Sequence, residues 1–580
     1  MTRRAPIDTC WRIAPWIASL SLLWCGCSGP IFRPQSPESQ LDLPPMPDVK
    51  YVSAYSHPYG MNYVKVEAVS LVTGLAGTGS DPPPTPQRAS LLTEMNRREV
   101  ANPNEILASP NTSMVLVRAL LRPGIQEGDR FDVEVRTPSR SETTSIRGGW
   151  MLPTRLTEYA VLGEQIRQGH MLGMAEGPIL VDPSADASKD PAHVTRGRIL
   201  GGGVAMKSRP LGLVIGHQHK SFTISQKMAS SINHRFHTFV NGRRQGVATP
   251  KTDEFVDLLI HPRYKDNVGR YMQVVRNIAI DESPTTLQSR LLFLEQQLAD
   301  PLTAASAATR LEAIGDDQAK ALLKEGVRST DPEVRFYSAE ALAYLDATEA
   351  VEVLADVART EPAFRVNALA ALSAMDDAAA YDALRSLLEV RSAETRYGAF
   401  RSLWAMNERD PLIRGEKLGD QFSYHVLNVS GPEMIHVTRS FRPEIVMFGK
   451  DQRFQLPLVL DAGKSILVNG QSGEQITVSR FAVAQETKQL VVSTRVEEVL
   501  RAIVELGGTY PDVVQALQQA KTDGALASRF EVDALPQSGR SFDPNAAEFP
   551  AAADEGIPAA NERDTPHDIS TPVPGLFSQQ

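Results

Sequence analysis

Glycines and histidines supply the arrangements in this chain that could do chemistry. Gly201-Gly202-Gly203-Val204-Ala205-Met206-Lys207-Ser208 approaches the glycine-rich loop that cradles phosphate. Met206, however, stands where the second glycine must let backbone amides reach the anion. Gly74-Leu75-Ala76-Gly77-Thr78-Gly79 follows a β-rich run, as phosphate loops do. Pro82, Pro83 and Pro84 then delay any helix whose N-terminus would hold the anion, which favours a turn or an extended glycine loop. His217-Gln218-His219 and His234-Arg235-Phe236-His237 could offer imidazoles to a metal. No carboxylate or third histidine sits at a recognised ligand spacing, so both pairs read as solvated or core histidines. There is no G-x-S-x-G elbow and no H-E-x-x-H helix, and Asp253-Glu254 and Asp316-Asp317 read as solvated loop faces. The expectation is a protein without catalytic centre, cofactor or metal.

The elements that would have to position such groups are built from ordinary globular material. A chain of 580 residues exceeds one compact core, so two to four domains are expected. A formal net charge of −9 and 6% aromatic residues argue against a nucleic-acid partner, which needs basic and base-stacking surface. Beyond the N-terminus no apolar run is long enough to span a bilayer.

Residues 1–27 read as an export signal. Arg3, Arg4 and Arg12 give a basic start, and the apolar stretch Ile13–Trp24 suits a signal core rather than a membrane span. Leu22-Leu23-Trp24-Cys25-Gly26-Cys27 resembles a bacterial lipobox, which makes Cys27 the candidate lipid attachment site and outer-membrane anchoring an expectation. Trp24 departs from the usual small or aliphatic residue at its position. The only cysteines are Cys10, Cys25 and Cys27, so the body beyond the leader is expected to hold neither disulfide nor thiolate metal site.

Residues 28–58 are rich in proline and polar residues and read as a tether. From 59 to 285, short β-rich runs alternate with Gly, Pro and Asp turns: Val64–Val72, Ser113–Leu121, Arg130–Thr137, Met171–Val181 and Leu211–Ile215. One helix-like interval, Ser221–Phe239, interrupts this α+β pattern. Residues 411–470 return to β-like alternation, and 471–540 add strands and a helix pair. The stretch 541–580, proline-rich and acidic, reads as a disordered tail.

Between 286 and 410 the period changes. Asp331-Pro332-Glu333-Val334-Arg335 leads into one helix, and similar openings end in Arg365 and Arg396, spaced 30 and 31 residues apart. Leu342, Leu372 and Leu403 keep the same spacing, and a second helix follows each first one. A period of this size is a solenoid signal, because one helix pair cannot bury its apolar face alone. The block resembles short HEAT repeats. In that reading the acidic residue caps the first helix, Pro332 occupies its first turn, and the arginine bridges to a neighbouring repeat.

The region 59–285 resembles the bacterial flagellar P-ring protein family. Val69 through Asp81, with Gly74, Gly77 and Gly79, is similar to that family's glycine-rich opening. Gly128-Asp129-Arg130-Phe131-Asp132, followed by Gly148 and Gly149, is similar to its core motif, and Gly177-Pro178 to a later strand. The resemblance resumes at Ile476–Gln485 and in the helix pair around Val499–Leu526. It implies an α+β multidomain fold, in which a β-rich P-ring-like scaffold is interrupted by an all-α HEAT-type solenoid. It further implies a periplasmic ring of copies of this chain around the flagellar rod, with rod and L-ring proteins and peptidoglycan as neighbours. An unidentified protein would meet the HEAT block. Glycines at Gly74–Gly79 and Gly148-Gly149 would let backbones approach where subunits abut. A lipid-anchored adaptor that grips a protein with its HEAT repeats is the alternative.

Overall fold

The computed structural model describes residues 49–162, 165–182, 191–240, 242–419, 421–481, 487–540, 542 and 576–577. The export leader with Cys27, and nearly all of the acidic stretch 541–580, lie outside them.

A closed barrel comes first. Its strands run in the order Val64–Thr73, Ser113–Leu121, Arg130–Arg136, Arg196–Ala205, Gln165–Pro178 and Trp150–Leu162, the last returning to the first. The expected strands at Val64–Val72, Ser113–Leu121 and Arg130–Thr137 agree with these to within one residue. Alternation explains the closure: Val115, Val117, Ala119 and Leu121 point inward with Val66, Val72, Val133 and Ile199. On the outer face, Leu71 and Met114 pack under the helices Pro86–Arg97 and Pro103–Leu107 through Leu91, Met95 and Leu107. Phe131 fills the interior because Gly203 lies against it; a Cβ there would come within 2.3 Å of the ring. The near-P-loop at Gly201–Ser208 is therefore mostly barrel strand, and its glycines make room for an aromatic ring rather than a phosphate.

Beside the barrel stands an antiparallel sheet in the order Ser56–Tyr59, Leu211–Ile215, Phe255–Leu258, Ala248–Pro250. Its first strand corrects the expected tether, which cannot reach residue 58. Val52 is fully buried, its N–H donates to Ile278 O at 2.9 Å, and Ser56–Tyr59 pairs with Leu211–Ile215. Pro58 disguises this strand in the sequence, and the structure tolerates it because the strand lies at a sheet edge. The interval Ser221–Phe239 also needs correction. Its helix ends at Arg235, and His237–Val240 pairs with Arg243–Gly246 as a separate two-stranded hairpin that reverses at Gly242, φ 75°.

The helical stack follows. First helices Ala304–Ile314, Pro332–Tyr344, Arg365–Ser373 and Ala393–Met406 alternate with second helices Asp317–Val327, Val351–Thr360 and Ala378–Leu387, after an entry helix Pro284–Leu298. The second helices are amphipathic, with Glu325, Glu352, Asp356, Arg359, Asp382 and Arg385 exposed. The first helices are buried on nearly every side, so something other than the second helices must cover them.

The last unit pairs a mixed sheet with an antiparallel one. The mixed sheet runs Glu416–Leu418, Phe422–Leu427, Glu444–Phe448, Met434–Val437, Arg529–Val532. The antiparallel sheet runs Leu458–Ala462, Ile466–Gly470, Gln475–Arg480, Lys488–Ser493, and packs under helices Val496–Glu505 and Tyr510–Thr522. The boundary expected at 470/471 cuts the hairpin between Ile466–Gly470 and Gln475–Arg480. Residues 411–470 and 471–540 therefore share one core, because strands that exchange ladder hydrogen bonds cannot fold apart.

Candidate functional site

Most glycines of the P-ring-like motif gather at the end of the barrel where Thr73, Trp150 and Pro178 meet, and Gly128 lies at the other end, its N–H donating to Ala205 O at 2.8 Å. Gly74, Gly77, Gly128 and Gly148 turn with positive φ, as does Gly177 within its strand, which ends at Pro178. Gly79 instead serves a close approach within the chain: its N–H donates to Pro110 O at 2.8 Å, and a Cβ would fall 2.0 Å from Thr112 O. Gly149 is likewise pressed against Val72 and Ile146. These two approaches are to the chain's own backbone and core. Gly79→Ala is expected to lower barrel stability by about 1–3 kcal/mol, because backbone rather than a side-chain tip must yield; thermal unfolding of the purified variant measures it.

The charged motif residues meet a different part of the chain. Asp81 pairs with Arg88 at 3.0 Å and Asp129 with Arg122 at 3.1 Å, both local links. Arg130 donates to Gly201 O at 2.9 Å. Asp132 reaches further: one oxygen accepts the Gly201 N–H at 2.8 Å, and the other accepts the N–H of Phe441, more than 300 residues away. Asp533 holds the same loop, accepting from Arg439 N at 2.7 Å and Ser440 Oγ at 3.2 Å. Asp182 adds an ion pair to Arg439 at 2.6 Å. Barrel and C-terminal unit are thus joined by carboxylates around residues 439–441, and Leu180 and Leu200 extend the junction with apolar surface.

Burial pushes the Asp132 carboxyl up to about 6, with Asp533 adding to the rise; its two backbone donors and Arg198 oppose the shift. Such a raised carboxyl stabilises the fold fully below its unfolded value, and that stability is lost as the pH rises toward 6. The wild-type junction is expected to be more stable at pH 4.5 than at pH 7. Asp132→Asn should flatten that limb and leave the smaller part carried by Asp533, whose carboxyl burial also raises. Thermal scans of both proteins across that range provide the check.

A second polar cluster lies where the mixed sheet meets the last first-helix. Glu444 is fully buried, accepts from Tyr397 Oη, and pairs with Arg442 and with Arg401 at 3.9 Å. Tyr397 stacks on His436 at 3.6 Å, and His436 Nε2 accepts the Ala534 N–H at 3.0 Å. Burial holds His436 down to about 3, so it is a neutral acceptor and not a proton shuttle.

The HEAT motif positions divide by role. Asp331 accepts from Glu333 N and Val334 N at 2.9 and 3.0 Å, and Pro332 occupies the first turn, as expected of a capped start. Arg365 pairs with Glu394 of the next repeat at 2.9 Å, which is the expected bridge. Arg335 and Arg396 differ. Arg335 binds Ser329 O in its own loop, and Arg396 binds Leu388 O and Pro432 O while lying over the Phe448 ring.

The chain itself covers the first helices. At their C-terminal ends, Lys265 donates to Ala405 O and Arg263 pairs with Asp346, cations placed at the negative ends of helices. This seam retains a cleft of about 340 Å³ lined by Tyr344, Ser373, Met406 and Asp266. Deeper in, Arg270 pairs with Glu312 at 2.6 Å and Glu340 at 2.7 Å, and Tyr264 donates to Glu312. At the N-terminal ends the segment after Val532 lies along the stack. Pro536 sits over Gly398, Arg540 binds both oxygens of Glu394, and Phe542 packs on Phe364 at 4.9 Å. Leu576 and Phe577 are buried too, and Arg401 donates to Leu576 O. The tail expected over 541–580 therefore contributes at least Phe542, Leu576 and Phe577 to the core. Their composition gave no sign of it, because three apolar residues among prolines and acids carry no period.

Sequence reasoning missed Phe441, Glu444, Arg401, Asp533 and Glu394. Each acts across long chain separations, where no local spacing exists to read. Among the described residues no group of three or more His, Cys, Asp or Glu could hold a metal ion, and no helix is long and apolar enough to cross a membrane. His217–His219 forms a single turn, with His219 edge-on to Tyr55 at 4.9 Å.

Two family descriptions match the chain: flagellar P-ring protein over residues 57–291, and HEAT repeats over residues 291–366. The first range covers the barrel and its neighbouring sheet, and the second covers the first part of the helical stack. A flagellar P-ring protein of Sodalis glossinidius is 29% identical over 227 residues, 37% of this chain and 57% of that protein. One of Nitrosospira multiformis is 30% identical over 206 residues, 33% of this chain and 52% of that protein. The chain spans about half the length of the curated relatives it matches.

Proposed function

We propose that this chain is a structural subunit of a flagellar P ring, surrounding the rod in the periplasm, supporting motility and catalysing nothing. The observation that carries the reading is the match of residues 57–291 to the P-ring family, over a region that folds as a complete barrel with its adjoining sheet. A ring requires head-to-tail contacts that close by rotation, so copies of this chain would be its first partners, with rod and L-ring proteins and peptidoglycan nearby.

In this reading the HEAT block, residues 286–410, is set between P-ring-like parts, and the strands and helices of 471–540 complete the scaffold. Its own chain occupies the first-helix face, so a protein partner would meet the second helices, whose outer side is polar. The alternative, an adaptor that grips a peptide on the first helices, would require displacing residues 535–542. Cys27 remains the candidate lipid site; fatty-acid labelling that persists in Cys27→Ala would exclude it.

The test is genetic and structural together. A deletion strain is expected not to swim, and purified basal bodies are expected to contain rings of this chain. A deletion strain that swims normally overturns the reading.

A further inference from the structure

Charge is distributed very unevenly along this acidic chain. Residues 191–252 contain ten Lys and Arg and no Asp or Glu. Acids from elsewhere neutralise much of this excess: Lys227 pairs with Asp281, Lys251 with Asp257, Lys220 with Glu254 and Arg198 with Glu134. Arg209 spends its donors on Leu121 O and Arg122 O.

The hairpin His237–Val240/Arg243–Gly246 and the helix end before it hold most of the remainder. Among the described residues no carboxylate pairs with Arg235, Arg243 or Arg244. Arg244 turns back onto the carbonyls of Asn233 and His234, at the end of helix Phe222–Arg235, and Arg243 is exposed. The register sets Phe239 directly across from Arg244, so ring and guanidinium share one face with His237, whose ring meets Phe239 edge-on at 5.6 Å. Phe239 is 71% exposed, the most of any large apolar side chain described. Partial burial lowers the His237 pKa, and Arg244, His234 and Arg235 lower it further, which reflects an uncompensated positive field.

We propose that the turn end of this hairpin is a peripheral docking site for an anionic lipid surface, with Phe239 entering the boundary between headgroups and acyl chains, Arg244 meeting the phosphates from the same face and Arg243, across from Val240, meeting them from the other. An exposed aromatic flanked by cations, on a hairpin that pairs with no other strand among the described residues, has both signals that reversible membrane attachment needs. An acidic protein face would satisfy the arginines and leave Phe239 in water. The site owes nothing to the ring assignment and would act alongside any anchor at Cys27.

The test uses the full chain carrying Cys27→Ala, so that no acyl chain can contribute, sedimented with vesicles of phosphatidylcholine with and without phosphatidylglycerol. Binding is expected only with phosphatidylglycerol and should weaken as salt is raised. Arg243→Glu with Arg244→Glu should reduce it about tenfold or more, and Phe239→Ser should also reduce it. Arg243→Gln alone, a milder surface change, should give an intermediate loss. Equal binding to both vesicles, or binding unchanged by the arginine variants, overturns the proposal. So does a loss confined to the arginine variants with Phe239→Ser unaffected, which would mean charge attraction alone without entry of the aromatic ring.

Discussion

Replacing Arg270 by methionine is expected to destabilise the seam between the barrel-side sheet and the helical stack by about 3–5 kcal/mol at neutral pH. Arg270 is buried and bridges two buried carboxylates, Glu312 at 2.6 Å and Glu340 at 2.7 Å, while lying over the Tyr344 ring. Methionine nearly conserves the volume, so the loss is electrostatic: two acids are left in a low-dielectric interior without their counterion. Burial already pushes the Glu340 carboxyl up, with Arg270 opposing. Removing that opposition should raise it further, so the variant should regain stability as the pH falls toward 5. Urea unfolding at two pH values measures both effects. A variant as stable as wild type at pH 7 would mean that the triad contributes little. A deficit unchanged at lower pH would point to packing instead.

The second large effect is expected at Glu444. Glu444→Gln keeps the shape and an acceptor for Tyr397, yet leaves Arg401, which is almost completely buried, and the partly buried Arg442 without a counterion. The expected cost is again about 3–5 kcal/mol. Burial alone would raise the Glu444 carboxyl; Arg442 and Arg401 outweigh it and hold it near 2. A depressed carboxyl gives stability that is present above its unfolded pKa and lost as the pH falls toward 2. Wild type should therefore show an acid-unfolding limb between about pH 4.5 and 2, and Glu444→Gln should lack its steepest part. Near-ultraviolet circular dichroism during acid titration follows the limb, because Tyr397 and Trp404 lie at this cluster and Trp404 stacks under Arg442 at 3.7 Å. The window is distinct from that of Asp132, whose stability is lost in the opposite direction as the pH rises toward 6.

Local rules made much of the fold legible. Strands such as Arg130–Arg136 alternate polar and apolar residues throughout, and the repeated openings at Asp331, Arg365 and Arg396 give the stack its period. Where the sequence misled, the cause was a missing or weak period. Ser56–Tyr59 is only four residues long and contains Pro58, and His237–Val240 continues directly from a helix. Phe542 and Leu576-Phe577 stand isolated in proline-rich surroundings.

The motif residues were found from the sequence, but several of their roles were not. Gly79 and Gly149 press against Thr112, Val72 and Ile146 of their own chain, approaches that no local spacing reveals. Asp132 sits in a recognisable motif, yet its second partner is the backbone of Phe441. Barrel strands and paired helices are legible in the chain alone, because periods of two and of about three and a half residues select those states locally. The filling of the first-helix face, by Lys265 and Arg263 at one end and by Pro536, Arg540 and Phe542 at the other, emerges only when distant segments pack together. That outcome depends on single contacts between segments more than eighty residues apart, whose closure is settled by packing and charge pairing rather than by any repeat in the chain.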